Sequence, residues 1–211
     1  MTSLNGLQKQ FRELRRLVAA DIDIYLTWPL MFDLVKRDRS RWSHFLYLFF
    51  TVHSFPPVFL YRVQTFLYES GFHRSATTVS RINHFAYGVT IGNHVRTTGG
   101  LLIAHGHVVL DGFTFLGDRV HINPFVTLGV GNSEQRPFEL WGPVIGNDVN
   151  IGTGAKILGK IHVGDGVKIG ANAVIVSDIP AHHTAVGVPA RSFPTAGKPA
   201  DPAYEGPPAA S

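Results

Sequence analysis

Residues 144–179 read VIGNDVNIGTGAKILGKIHVGDGVKIGANAVIVSDI, and the spacing within this stretch decides the fold. Ile145, Ile151, Ile157, Val163, Ile169 and Ile175 are aliphatic at an unbroken interval of six. Val149, Ala155, Ile161, Val167, Ala173 and Ile179 form a second small-or-aliphatic series at the same interval, and glycine follows the first series at Gly146, Gly152, Gly164 and Gly170. Six matches neither the 3.6-residue turn of a helix nor the two-residue alternation of a strand. It matches short strands joined by tight corners, with one aliphatic residue per side pointing inward. Glycine, asparagine and aspartate supply the positive-φ backbone of the corners. Such coils stack with each strand paired to the one above, about 4.8 Å away, and form a solenoid.

Outward from this stretch the pattern thins. Leu116-Gly117, Val120, Ile122, Val126 and Leu128-Gly129 repeat it, and Ile91-Gly92 with Val95 forms its first copy. Before residue 82 the character is helical: Phe11, Leu14, Leu17 and Val18 fall at helix spacing, as do Leu60, Val63 and Leu67, with Gly71 as a stop. The expected organisation is an α-helical amino-terminal domain over residues 1–81, a β-solenoid over 82–194 and a disordered Pro/Ala/Gly-rich tail over 195–211.

Composition excludes several classes. With no cysteine, the chain has no disulfide scaffold, thiolate metal site or cysteine nucleophile. Residues 1–81 hold eleven Lys/Arg against six Asp/Glu, a basic third whose plain reading is a solvated helical surface, and no Lys/Arg run has a nucleic-acid pattern. The apolar window from Trp42 to Leu60 is long enough to span a bilayer. Pro56-Pro57 would break a spanning helix, so two buried helical segments meeting at the prolines are expected. Membrane contact is then at most peripheral, through Phe45, Tyr47, Phe49 and Phe50, and a cytoplasmic protein is expected.

The repeat resembles the left-handed parallel β-helix of the hexapeptide-repeat acyltransferases. Ile151-Gly-Thr-Gly-Ala-Lys-Ile-Leu-Gly159 and Ile179-Pro-Ala-His-His-Thr-Ala-Val-Gly-Val-Pro-Ala-Arg191 look like serine O-acetyltransferases. Ala20-Asp21-Ile22, Lys36-Arg37-Asp38 and Leu60-Tyr61-Arg62 resemble landmarks of their helical domain. The resemblance covers about residues 10–193. It implies a mainly β fold, a left-handed β-helix preceded by a helical domain, assembled as a homotrimer or a dimer of trimers. It also implies acetyl-CoA as acyl donor, bound in a groove between neighbouring β-helices, and no metal cofactor.

In that family a histidine takes the proton of the acceptor hydroxyl, which attacks the thioester directly. An imidazole is suited to that task because its ordinary pKa lies near 6.5. The matching segment, Leu101-Leu-Ile-Ala-His-Gly-His-Val-Val-Leu110, puts the base at His105, with His107 as rival or acceptor contact and His121 and His162 as outward-facing outsiders. His182 and His183 fall in the carboxyl-terminal turn. Asp38, Phe138 and Trp141 complete the expected acceptor side. On the cofactor side the resemblance implies Thr153, Gly154, Ala155, Ala171 and Ala173 along the pantetheine arm, with Lys168 and Arg191 at the phosphates. Ordinary packing explains Ala155 and Ala173 as well, and solvated charge explains Lys168 and Arg191.

Several family groups are missing. An aspartate before the catalytic histidine is Ala104 here, a second histidine aligns with Gly142, the glycine-rich loop is replaced by Val130-Gly-Asn-Ser-Glu-Gln-Arg-Pro-Phe-Glu-Leu-Trp141, and the aspartate that partners the histidine at the start of the β-helix has no counterpart in His84-Phe-Ala-Tyr-Gly-Val-Thr-Ile-Gly92. A buried ammonium wants a carboxylate partner. The expected acceptor is therefore a sugar or other hydroxylated metabolite resting on Phe138 and Trp141, as in the branch that O-acetylates exopolysaccharide and capsule precursors. The alternatives are a genuine serine O-acetyltransferase with Asp111 or Glu134 as substitute carboxylates, N-acetylation of an amino sugar, and a non-catalytic binding module.

Overall fold

The computed structural model describes residues 4–27, 40–131 and 140–196. Helix α1 (Leu4–Thr27) opens the chain. Helix α2 (Arg41–Thr51) starts at Ser40, whose side chain accepts from the Ser43 amide at 3.3 Å. Helix α3 (Phe55–Glu69) carries Pro56 and Pro57 in its first turn, where a missing N–H leaves no bond unmade. The prolines therefore begin a helix, and the break expected at them falls upstream, over residues 52–54. At the end of α3 the chain turns through Gly71 (φ 87°), and the Phe72 amide donates back to Leu67 O at 2.8 Å. Helix α4 (His73–Tyr87) ends at Gly88 in the left-handed region, so the compositional change at residue 82 lies inside a helix.

The aliphatic series then builds the coils. Strands β1 (Val89–Ile91), β3 (Val108–Leu110), β5 (Thr127–Gly129), β8 (Lys156–Leu158) and β11 (Val174–Ile175) stack in parallel as one face. Strands β2 (Arg96–Ile103) and β4 (Phe115–Ile122) bend round a corner and serve two faces. Phe115 and Leu116 pair with β6 (Val144–Ile145), which carries β9 (His162–Val163). His121 and Ile122 pair with β7 (Asn150–Ile151), which carries β10 (Lys168–Ile169) and β12 (His183–Gly187). Strand β13 (Ala190–Pro194) folds back antiparallel on β12. Val144 lies under His162 and Asn150 under Lys168, eighteen residues or three sixes per turn. The result is a parallel β-solenoid of about five turns.

Ile145, Val149, Ile151, Ala155, Ile157, Val163, Val167 and Ala173 are fully buried along its axis. The register departs from eighteen three times, the last where Lys168 pairs with Thr184, two residues short of a plain turn. Val89 pairs with Val108, one residue more than a plain turn, and Phe115 pairs with Val144 across the excursion of residues 130–141.

The helices cover the first coil. Asp21 on α1 and Arg62 on α3, both buried, form a two-pronged ion pair at 2.7 and 2.8 Å. Asp21 also accepts from the Leu101 amide at 2.9 Å, and Arg62 donates to Thr97 at 2.6 Å. Burial opposes the charge on Arg62, but the Asp21 carboxylate outweighs it and raises the guanidinium pKa. The landmarks Ala20-Asp21-Ile22 and Leu60-Tyr61-Arg62 are thus the bolts that hold helices to solenoid.

Of the aromatics considered for membrane contact, Phe45, Tyr47 and Phe49 pack against the core and Phe50 is exposed. Among the described residues no helix is long and apolar enough to cross a membrane.

Candidate active site

His105 sits on a corner that is one residue longer than its counterparts. Ile103 pairs with Ile122 and Val109 with Thr127, so the segment between them holds one more residue in the lower coil than in the upper. The extra length pushes the His105 ring out of the coil, where it is exposed. The corner rests on the end of α4: an added Cβ on Gly106 would strike the Tyr87 carbonyl, so glycine is required there. His107 follows at φ 62° and lies flat against Phe125, ring centroids 5.2 Å apart and planes 9° apart.

The Nδ1 atom of His105 is 3.0 Å from Nε2 of His53, and the two rings are nearly parallel, 22° apart. His53 is exposed in the turn between α2 and α3. Beside it, the buried Tyr25 hydroxyl lies 2.6 Å from Ser54 O and 3.0 Å from Ile103 O, sharing its one proton between them. One phenol from α1 therefore ties the His53 turn to the His105 corner. Burial raises the Tyr25 pKa far above its ordinary value, so the hydroxyl stays a neutral donor.

His53 was not singled out from sequence. The one signal in the sequence is that residues 84–92 hold no aspartate to partner the histidine.

Above His105 the same corner carries small residues. The backbone ladder runs Ala104 to Ile122, Asn123 to Ile151, Gly152 to Ile169 and Gly170 to Ala185. Thr153, Gly154 and Ala171 occupy this corner two and three coils up, which is about 10 and 14 Å along the axis at strand spacing. Phe125, exposed and stacked on His107, stands on the corner one coil above His105, and Val186 overlies Gly170. Lys168 is exposed on β10, and Arg191 is exposed on β13 opposite Val186. Small flank and distant cations together fit an extended amide chain ending in phosphates.

Ala155 and Ala173 do not share that surface. Both are fully buried, and their side chains pack the solenoid interior.

The remaining expected residues scatter. Trp141 stands on another edge of the prism, 5.7 Å from the Phe113 ring and 5.2 Å from Lys160 Nζ, and no contact joins it to His105. Asp111 accepts from its own turn at the Gly112 amide, 2.7 Å away, which makes it a turn cap. His121 is half-buried on β4, and burial lowers its pKa. Asp38, Glu134 and Phe138 lie outside the described residues. Among the described residues no group of three or more His, Asp or Glu side chains could hold a metal ion.

Similarity to known proteins bears on this arrangement. The family described as "Bacterial transferase hexapeptide (six repeats)" matches residues 142–177. A serine acetyltransferase of Helicobacter pylori (strain ATCC 700392 / 26695) is 39% identical over 157 residues, covering 74% of this chain and 87% of that protein. The crystal structure of Neisseria gonorrhoeae serine acetyltransferase in complex with serine superposes with a TM-score of 0.69 at 31% identity, over 87% of this chain and 72% of that one. A serine acetyltransferase in complex with CoA gives a TM-score of 0.73 at 26% identity, over 90% of this chain and 73% of that one. With the repeat matched and the whole fold superposing on these relatives, the chain belongs to the serine acetyltransferase family and is an acyltransferase whose acyl donor is acetyl-CoA.

Proposed function

We propose that the acceptor is L-serine and that His105 is the general base. Nδ1 of His105 is engaged by His53, which leaves Nε2 for the substrate. Nε2 takes the proton of the serine hydroxyl as its oxygen bonds to the thioester carbonyl carbon. The tetrahedral intermediate collapses with cleavage of the C–S bond, and the imidazolium returns the proton to the departing coenzyme A thiolate. Thr153, Gly154 and Ala171 line the pantetheine arm, and Lys168 and Arg191 meet the phosphates. A neighbouring chain of the trimer that the family resemblance implies closes the groove.

The observation that carries this reading is the 39% identity to a serine acetyltransferase across 87% of that protein's length. The sugar acceptor inferred from Ala104 and Gly142 gives way to it. Of the two aromatics that inference called on, Trp141 packs on Phe113 and Phe138 lies outside the described residues.

Steady-state assays of thiol release from acetyl-CoA, with L-serine and with hexose acceptors, test the assignment. Serine is expected to turn over selectively, and His105→Ala to lower kcat by about 10²- to 10⁴-fold, the usual worth of positioned proton transfer. Asp38→Asn is expected to raise KM for serine, whose ammonium wants a carboxylate, with KM for acetyl-CoA unmoved. Equal or better use of a hexose by the wild-type protein would reinstate the sugar reading.

A further inference from the structure

We infer that His53 is the positioning residue of the catalytic base, a neutral imidazole doing for His105 what a carboxylate does in a His–carboxylate dyad. The inference rests on His105 being the base, as proposed above, and goes beyond it by assigning the group that orients the ring and accepts from its Nδ1.

Three observations carry it. First, the rings meet nitrogen to nitrogen at 3.0 Å, close to hydrogen-bond ideal, and nearly parallel. Second, the pair is held from beneath: Tyr25 bonds the carbonyl of Ser54, next to His53, and the carbonyl of Ile103, two residues before His105. A chance encounter of two exposed side chains would have no such foundation. Third, among the described residues no carboxylate bonds either ring. The aspartate that the resemblance would pair with the histidine has no counterpart in residues 84–92, and Asp111 is committed to its own turn.

The chemistry depends on which ring holds the shared proton. If it sits on His53 Nε2, His105 accepts at Nδ1, carries its own proton on Nε2 and is inert as a base. If it sits on His105 Nδ1, His53 accepts and Nε2 of His105 has a free lone pair. Substrate proton abstraction selects the second arrangement, because the imidazolium formed on His105 then donates from Nδ1 to a waiting lone pair. His53 therefore holds the ring orientation and accepts from Nδ1 in the reactive tautomer, without touching the substrate. Being uncharged, it supports the imidazolium less strongly than a carboxylate would.

The other titratable groups around the pair are occupied. Tyr25 on α1 is a buried donor to carbonyls, Asp21 on α1 is bonded to Arg62 and the Leu101 amide, and His107 on the same corner is stacked on Phe125.

The test uses the full-length protein, with kcat, KM and the pH profile of kcat/KM as readouts and thermal melting as a control. His53→Ala is expected to lower kcat by about 10- to 100-fold, part of the ~10²- to 10⁴-fold available from positioned proton transfer, with KM for acetyl-CoA unchanged. His53→Gln, whose Oε1 reaches about as far as Nε2, is expected to recover most of the loss. His53→Glu is expected to move the acid limb to higher pH, since a carboxylate favours the protonated ring and the base must be unprotonated to act. Full kcat in His53→Ala, or a loss that Gln does not relieve together with an unmoved acid limb in Glu, overturns the inference. Full activity in His105→Ala overturns instead the base assignment on which it rests.

Discussion

Ala104 and Gly142 stand where the family resemblance places an aspartate and a histidine, and both are buried. An added Cβ on Gly142 would strike the Thr114 hydroxyl and come within 3.0 Å of its amide, so no side chain fits this backbone. Those two groups are therefore absent by construction, and recognition falls to other residues. At the far end of the flank, Lys168→Ala and Arg191→Ala should each raise KM for acetyl-CoA by roughly 10-fold, the worth of one charge-assisted hydrogen bond, with kcat nearly constant. Initial-rate kinetics at varied acetyl-CoA separate the two parameters.

His121 offers a check on stability at the same scale. Burial holds its folded pKa below the unfolded value of about 6.5. Below that pH the unfolded chain binds the extra proton first, so stability is whole above about 6.5 and falls as the pH drops toward the folded pKa. His121→Asn should flatten this acid-side decline in thermal melts across that range.

At the scale of elements, the proposed site depends on one corner and its clamp. One inserted residue lifts His105 from the coil, and α1 delivers both Tyr25 to the dyad and Asp21 to Arg62. Asp21→Ala would leave a buried guanidinium and the Leu101 amide unpaired. The expected cost is about 3–5 kcal/mol, read as a lower urea midpoint, with α1 loosened from β2. Because the same helix holds the His53 turn through Tyr25, kcat should fall along with stability.

For the molecule as a whole, stability is a stack of coils joined to their neighbours by parallel ladders and a shared aliphatic axis. Ile151, fully buried between Ile122 and Ile169, is central to that stack. Ile151→Ala should cost about 2–5 kcal/mol by leaving a cavity the coils cannot close, measurable as a lowered unfolding midpoint.

Much of this was legible in advance. The interval of six is local, and any coil that buries one residue per side must repeat it, so the inward positions, the solenoid and the helical cap followed from residue order alone. The His105 corner was legible through its family likeness. Other features were settled by contacts remote in sequence. The prolines could be read as helix breakers until α3 showed them in its first turn. Ala155 and Ala173 could be read as cofactor contacts until the coil turned them inward. The meeting of His53 with His105 joins residues 52 apart through a phenol on a third segment. A periodic pattern records which side of the backbone is buried, but not which distant side chain arrives beside it. Only the packing of α1 and α3 on the first coil could decide that.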